Sequence, residues 1–283
     1  MFSLFNTPPA INIKGALSTF TEPLVMGIIN LTPDSFHSES RVTNNTNLLQ
    51  ISAEMIGQGA AILDMGGYST RPGAPEISEQ EELDRLIPAI EILRKAQPGI
   101  LISADTFRSD VALAAARAGA DIINDVSGGA DPLMFETIAK LKLPYILMHS
   151  RGNPRNMHTL TQYQNLLPDI IAWFNQKLSA LAALGVYDVI IDPGFGFAKN
   201  REQNFYLLRN LSALGIFGKP VLAGISRKGM VWKTLGTSPA EALNGTTVLN
   251  TVALQQGAGI LRVHDVKAAS EAIKLLAELH KIH

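Results

Sequence analysis

Eight times along the chain a short apolar run stops on a polar residue able to do chemistry. The runs are VMGII before Asn30, AIL before Asp64, ILISA before Asp105 and DII before Asn124. YILM before His149, VII before Asp192, VLAGI before Ser226-Arg227-Lys228 and GIL before Arg262-Val263-His264 complete the series. Successive runs lie roughly 20 to 45 residues apart, the spacing of strand-plus-helix units. An apolar strand followed by a helix, repeated eight times, predicts a closed parallel barrel of the α/β class, the (β/α)8 or TIM-barrel fold. In such barrels the C-terminal ends of the strands carry the active site, so the polar residues are expected to converge on one pocket.

The segments between the runs carry helix signals. Ser78 with Glu81 has the form of a capping box, and Leu83, Leu86, Ile87, Ile90 and Leu93 follow at helical spacing. Ser238, Pro239 and Glu241 repeat the pattern, with proline at the first helical position. Further helices are expected over 47–58, 109–118, 131–141, 161–184, 201–213 and 267–282. The runs are apolar at successive positions rather than alternating, as expected when helices cover one face of each strand and a packed interior the other. Residues 10–20 are read as a short N-terminal hairpin cap closing the bottom of the barrel. No composition shift or low-complexity stretch divides residues 1–283, so a single domain is expected.

Composition narrows the function classes. Lysine plus arginine total 24 against 25 aspartate plus glutamate, a balance that argues against general nucleic-acid binding. Cysteine is absent, which removes disulfides, thiolate metal sites and thiol nucleophiles. The first residues, MFSLFNTPPAINIKG, do not read as a signal peptide. No apolar run reaches the ~18 residues of a membrane span. A soluble, cytoplasmic protein with no membrane partner is the expectation.

Gly, Pro, hydroxyls and cations crowd four strand-to-helix loops: 30–36, 66–73, 192–197 and 226–229. Most helix-to-strand connections are short and plain, such as Gly119-Ala120, so the functional loops gather at one end. Lys228, Arg262 and His264 follow the last two runs, where barrels of this kind often hold phosphate. Ser69, Thr70 and Arg71, set among glycines, offer a second anion grip. Either arginine alone reads as a surface ion pair, whereas four cations on one barrel face read as an anion site. Asp105, Asn124 and Asp192 can together read a flat heterocycle through charge-assisted N–H bonds, each worth roughly 1.5–3 kcal/mol. Asp64, followed by Met65-Gly66-Gly67, is read as loop support. Asn30 with Asp34 suggests a hard-cation role, beside the plainer reading of a turn former. His149 with His264 lacks H-x-H spacing for a barrel metal pair, and GFGFAK at 194–199 lacks the third glycine of a dinucleotide loop.

At these residues the chain resembles the dihydropteroate synthase family. The likeness runs from about Val25 to Val266, through GIINLTPDSF (27–36), GGYSTRPGA (66–74), SADT (103–106) and IND (123–125). It continues through LMHSRGNP (147–154), DPGFGFAKN (192–200), ISRKG (225–229) and RVHDV (262–266). The resemblance implies condensation of 6-hydroxymethyl-7,8-dihydropterin pyrophosphate with p-aminobenzoate, giving 7,8-dihydropteroate and pyrophosphate. It also implies a pterin pocket of Asp105, Asn124, Asp192 and Lys228, with Asp192 at the 2-amino and N3 edge and Lys228 at the carbonyl side. Asn30 would ligate Mg²⁺ and, with Thr70, Arg71, Arg262 and His264, hold the pyrophosphate. Phe36, Thr70, Arg71, Pro72 and Phe197, with Lys228 and Gly229, would form the p-aminobenzoate slot. Asp105, Lys228 and Arg262 are implied as catalytic residues, and a homodimer through the last outer helices as the assembly.

Three positions depart from the family pattern. Loop 1 reads Phe36-His-Ser-Glu-Ser40, Tyr68 stands where glutamate is usual, and Gly229 stands where a serine is common. The first two fall in loops that close over substrate, so rate is more exposed to them than fold. Gly229 keeps a backbone N–H and the helix dipole for a carboxylate. Two other readings stand beside the synthase. A pterin-binding paralogue without turnover is one; a methyltetrahydrofolate-dependent methyltransferase, which has no use for the TPDSF, STRPG or RVH segments, is the other.

Overall fold

The computed structural model describes residues 8–31, 41–68, 76–152, 157 and 159–281, with backbone alone for 41–44 and 280. It begins with a hairpin. β1 (Ala10–Ile13) and β2 (Ala16–Thr19) pair antiparallel, with Ile13 opposite Ala16. The turn residues Lys14 and Gly15 both have positive φ, 54° and 80°, the two-residue turn whose twist suits paired strands. Asn12 N–H donates to Asp188 Oδ1 (2.7 Å), tying the hairpin to the barrel above it.

Strands and helices then alternate: β3 (Leu24–Asn30), α1 (Arg41–Gly57), β4 (Ile62–Gly66), α2 (Glu79–Ala96), β5 (Leu101–Asp105) and α3 (Ser109–Ala118). β6 (Ile122–Asp125), α4 (Met134–Leu141), β7 (Tyr145–Met148), α5 (Leu166–Ala183), β8 (Val189–Asp192) and α6 (Arg201–Arg209) follow. The last units are β9 (Leu222–Ala223), α7 (Gly229–Leu235), α8 (Leu243–Gln255), β10 (Ile260–Val263) and α9 (Val266–Lys281). The parallel strands lie in the order β8-β7-β6-β5-β4-β3-β10-β9, and a parallel bridge from Ile191 to Val221 closes the cylinder. This is the (β/α)8 barrel, with its hairpin cap, expected from the eight apolar runs.

Side chains divide by strand parity. One set packs outward against the helices: Val25, Ile29, Leu63, Met65, Ile102 and Ile123 meet the helix stripe that includes Leu86, Ile90 and Leu93. The other set fills the lower interior: Met26, Ile62, Ile122, Ile146, Ile190, Leu222 and Ile260. Ile11, Ile13 and Phe20 of the hairpin segment plug this layer from below. Both faces of each strand are thus apolar at the bottom, which is why the runs show no alternation.

Several helix ends differ from the sequence expectation. Ser78 Oγ accepts from Glu81 N–H (3.1 Å), but Glu81 turns its carboxylate to Arg85 instead of back to the cap. The Ser238 N–H and hydroxyl do reach Glu241 Oε2 (3.1 and 2.8 Å), yet this box closes a single 3-10 turn, Pro239–Glu241, and α8 starts at Leu243. Helix α4 starts at Met134, not 131; a turn precedes it, in which Asp131 accepts from the N–H groups of Leu133 (2.9 Å) and Ser109 (2.7 Å). Among the described residues, no helix is long and apolar enough to cross a membrane.

Candidate active site

Two residues above four of the seven apolar floor positions of the strands, the same strand face turns polar. Ile62 is followed by Asp64, Ile122 by Asn124, Ile190 by Asp192 and Ile260 by Arg262. Period-two geometry therefore delivers these side chains to the upper interior. Arg262 sits at the centre of the ring. Its Nε donates to Asp64 Oδ2 (2.6 Å) and its Nη2 to Asp105 Oδ2 (2.6 Å). Asn124 Nδ2 donates to the same Asp64 Oδ2 (3.2 Å). Register explains the convergence, since Asp64 pairs across from Ser103 and Asp105 directly across from Asn124.

Two carboxylates share one guanidinium in a largely buried site. Burial, joined by the charge of Asp64, pushes the Asp105 carboxyl up although Arg262 pulls it down. Burial opposes the charge of Arg262, but Asp64 and Asp105 outweigh it and hold the guanidinium above its ordinary value. Among the described residues Nη1 of Arg262 makes no hydrogen bond, so it keeps two donors for an incoming anion.

The second half of the site is built around the turn after β8. Asp192 Oδ1 accepts from Gly194 N–H (2.7 Å). Gly194 has φ +70°, and a Cβ there would lie 2.1 Å from the His149 carbonyl oxygen, so only glycine fits this turn. Lys228 reaches over it: Nζ donates to the Phe195 carbonyl and lies 4.6 Å from the centroid of the Phe197 ring. Gly224 leaves the space between the two charges open; its Cβ would meet Lys228 Nζ at 3.7 Å and Asp192 Oδ2 at 3.9 Å. Burial raises the Asp192 carboxyl against the opposing pull of Lys228. Burial likewise lowers the Lys228 ammonium, to about 8, although Asp192 supports its charge.

His264 is fixed by the loop after β9. Ser226 Oγ lies 3.0 Å from His264 Nδ1 and accepts from His264 N–H (3.2 Å). Arg227 pairs with Asp265 through Nε (3.0 Å) and Nη2 (2.6 Å), so it braces the loops and does not enter the pocket. Asn30 ends β3 on the inward face, in register with Gly66. Gly229 opens α7. Tyr68 meets Phe107 edge-on at 5.1 Å, under the guanidinium of Arg108, which Glu82 and the Ile77 carbonyl hold in place. A cavity of about 330 Å³ has Phe107, Val126, Ser127, Met157 and Phe197 among its walls; it shares Phe197 with the site and is not lined by the Asp64–Arg262–Asp105 set, Asn124, Asp192 or Lys228.

Asp105, Asn124, Asp192, Lys228 and Arg262 are therefore brought together with Phe197. Phe36, Thr70, Arg71, Pro72, Ser69, Asp34 and the segment His37-Ser38-Glu39 lie outside the described residues. Two strand ends differ from expectation. Asp64 is fully buried and holds both Arg262 and Asn124, a larger part than loop support. His149 does not face the pocket. Parity turns it outward, against Trp173 (5.0 Å between ring centroids), and its Nδ1 lies 3.0 Å from Lys199 Nζ. Counting by twos from Ile62 and Ile146 separates these two residues in the sequence itself. Lys199 carried no signal beyond its place after the glycine turn.

The family described as pterin binding enzyme matches residues 26–264. The chain belongs to the pterin-binding, dihydropteroate synthase family. Dihydropteroate synthase of Escherichia coli (strain K12) is 38% identical over 265 residues, covering 93% of this chain and 94% of that protein. A crystal structure of the Yersinia pestis dihydropteroate synthase with a sulfonamide drug superposes with a TM-score of 0.90 at 40% identity, covering 96% and 99% of the two chains. The Xanthomonas albilineans dihydropteroate synthase with 4-aminobenzoic acid gives a TM-score of 0.90 at 36% identity, covering 98% and 100%.

Proposed function

We propose that this chain is a dihydropteroate synthase, joining 6-hydroxymethyl-7,8-dihydropterin pyrophosphate to p-aminobenzoate and releasing pyrophosphate. The observation that carries the reading is the pairing of two charge sets in one barrel mouth: Asp64–Arg262–Asp105 on one side, Asp192 and Lys228 about Gly224 on the other. It stands in a chain whose relatives span its length.

The free Oδ2 of Asp192 accepts from the pterin 2-amino and N3 edge, Lys228 donates to the ring carbonyl, and Asn124 supports the flank. As the pyrophosphate departs, positive charge develops on the pterin methylene and spreads into the ring. Asp105 is placed to stabilise it, at the cost of sharing its carboxylate with Arg262. Arg262 uses its spare Nη1 donors on the leaving group, and His264, oriented by Ser226, adds a second donor with Thr70 and Arg71. The arylamine is a neutral nucleophile and requires no strong base. Phe36, Pro72, Phe197 and Gly229 complete its slot with Thr70, Arg71 and Lys228, where a sulfonamide would compete.

Mg²⁺ fits the site as an ion carried with the diphosphate. Among the described residues no cluster of three His, Asp or Glu is placed to cage a metal, whereas Asn30 offers an inward oxygen at the phosphate end. When bound, it would neutralise the leaving group. A homodimer through the outer helices is supported by exposed Val248 on α8 and Leu275 and Leu279 on α9, and a cytoplasmic location suits a chain without cysteine.

Purified protein supplied with pterin pyrophosphate, p-aminobenzoate and Mg²⁺ should release pyrophosphate in step with dihydropteroate. Pterin binding without release would overturn the synthase and leave a binding protein.

A further inference from the structure

Lys199 is a buried lysine that the mechanism above does not use; burial lowers its ammonium to about 7, although Asp192 supports its charge. All three of its ammonium donors are directed at fixed acceptors: His149 Nδ1 at 3.0 Å, the Gly194 carbonyl at 3.1 Å and the Phe197 carbonyl at 3.0 Å. Its first partner is held as an acceptor. Burial keeps His149 well below its ordinary protonation range, and its ring is wedged against Trp173 and Phe174. A neutral Nδ1 receiving the lysine proton leaves the ring hydrogen on Nε2.

The two carbonyls belong to the turn that Lys228 contacts from the β9–α7 loop. Gly194 O and Phe197 O bracket it, and Phe197 N–H donates to Gly194 O (3.1 Å) within it. The same turn offers the Phe195 carbonyl and the Phe197 ring to Lys228. Two lysines thus grip one short segment through different groups. A second tie holds the end of the turn: Ala198, at the strained φ of +49°, gives its carbonyl to the Tyr163 hydroxyl at 2.9 Å. Retaining a desolvated ammonium behind a pocket carries a penalty that a methionine or leucine would avoid. Its three aimed donors point to a positional task.

We propose that Lys199 is a positioning residue for the condensation: clamped to His149, it fixes the 194–197 turn so that Lys228 and the Phe197 ring keep their places against the substrates. The inference rests on the reading of Lys228 and Phe197 as substrate contacts. Asp105, Asn124 and Asp192 are anchored on strands, and the pterin draws on this turn only through Lys228 and the Gly194 N–H bond to Asp192, so the arylamine half of the reaction, which takes both Lys228 and the Phe197 ring from it, bears the larger effect.

The test compares wild type, Lys199→Met and Tyr163→Phe in steady-state turnover and in hydrogen exchange of the free proteins. For Lys199→Met, KM for p-aminobenzoate should rise about tenfold or more, KM for pterin pyrophosphate about threefold or less, as displacement of a contact predicts. Amides 194–197 should exchange about tenfold faster or more while those of the barrel floor stay as in wild type. Tyr163→Phe, which keeps the ammonium and the fold, should raise the p-aminobenzoate KM about twofold to threefold. Unchanged KM values in Lys199→Met with only a lower melting temperature would overturn the proposal. Should Lys199→Met fail to fold, unchanged KM and unchanged exchange at 194–197 in Tyr163→Phe overturn it instead. Wild type without turnover would sink the synthase reading, while the exchange comparison would still decide whether Lys199 holds the turn.

Discussion

The floor and the polar ring of this barrel are built on the same strands, two residues apart, and are opposites in chemistry. Below, Ile62, Ile122, Ile190 and Ile260 pack with the hairpin plug in a layer closed to water. Above, Asp64, Asn124, Asp192 and Arg262 occupy the next inward positions, buried nearly as deeply but charged or polar. The floor gains free energy from burial, each large side chain contributing about 1.5–3 kcal/mol. The ring spends part of that gain, because desolvated charges only partly recover their hydration through pairing. Stability and recognition are thus separated by one strand period. Substitutions two residues apart should accordingly have unlike consequences.

The largest effect is expected from Arg262→Ala. It strands Asp64 and Asp105 without their cation, and breaking such a pair costs roughly 3–5 kcal/mol, with the residual exposure of Arg262 favouring the lower end. Thermal unfolding and turnover should both suffer; an unshifted midpoint would show that the ring is not held by charge. On the floor, Ile190→Ala should cost roughly 2–5 kcal/mol of stability and leave both KM values within about twofold of wild type. A large KM change in that variant would erase the division between the two layers.

Protonation offers a gentler probe of the ring. Lys228 loses its charge as pH rises through about 8, so kcat/KM should fall on that side, and Lys228→Met should abolish the limb. Asp192 and Asp105 are raised by burial, so as pH falls they take up protons earlier than ordinary carboxylates, and activity should decline above the usual carboxylate range. The smallest effect is expected from Gly229→Ser. Among the described residues a Cβ there meets only the flexible end of Lys233 at 3.7 Å, so a hydroxyl has room at the helix start proposed to hold the arylamine carboxylate. A net hydrogen bond should lower the p-aminobenzoate KM roughly twofold to tenfold.

Much of this was legible in the residues. Apolar runs closed by polar residues located all eight barrel strands, although the seventh is reduced to Leu222–Ala223. Asp105, Asn124, Asp192, Lys228 and Arg262 each stand out in the sequence at or just after the end of an apolar run. What escaped was pairing across the barrel. Arg262 lies 198 residues from Asp64 and 157 from Asp105, and no local pattern announces that it bridges them. His149, which lacks the spacing of a metal pair in the sequence, is a supporting residue whose parity with Leu147 sends it to the helices. Helix starts differ from the apolar stripe where a turn precedes the helix, as at Asp131 before α4. Lys199 was hidden for a related reason: its three partners come from β7's end and from carbonyls, which carry no sequence signature.

The most direct measurement is a pterin titration of three proteins, wild type, Asp192→Asn and Ile190→Ala, well below their melting temperatures. Asp192→Asn should lose roughly ten- to a hundredfold in affinity, the worth of one charge-assisted contact, while Ile190→Ala binds as wild type. Equal affinity of Asp192→Asn and wild type would contradict the assignment of the polar ring as the surface that reads the pterin.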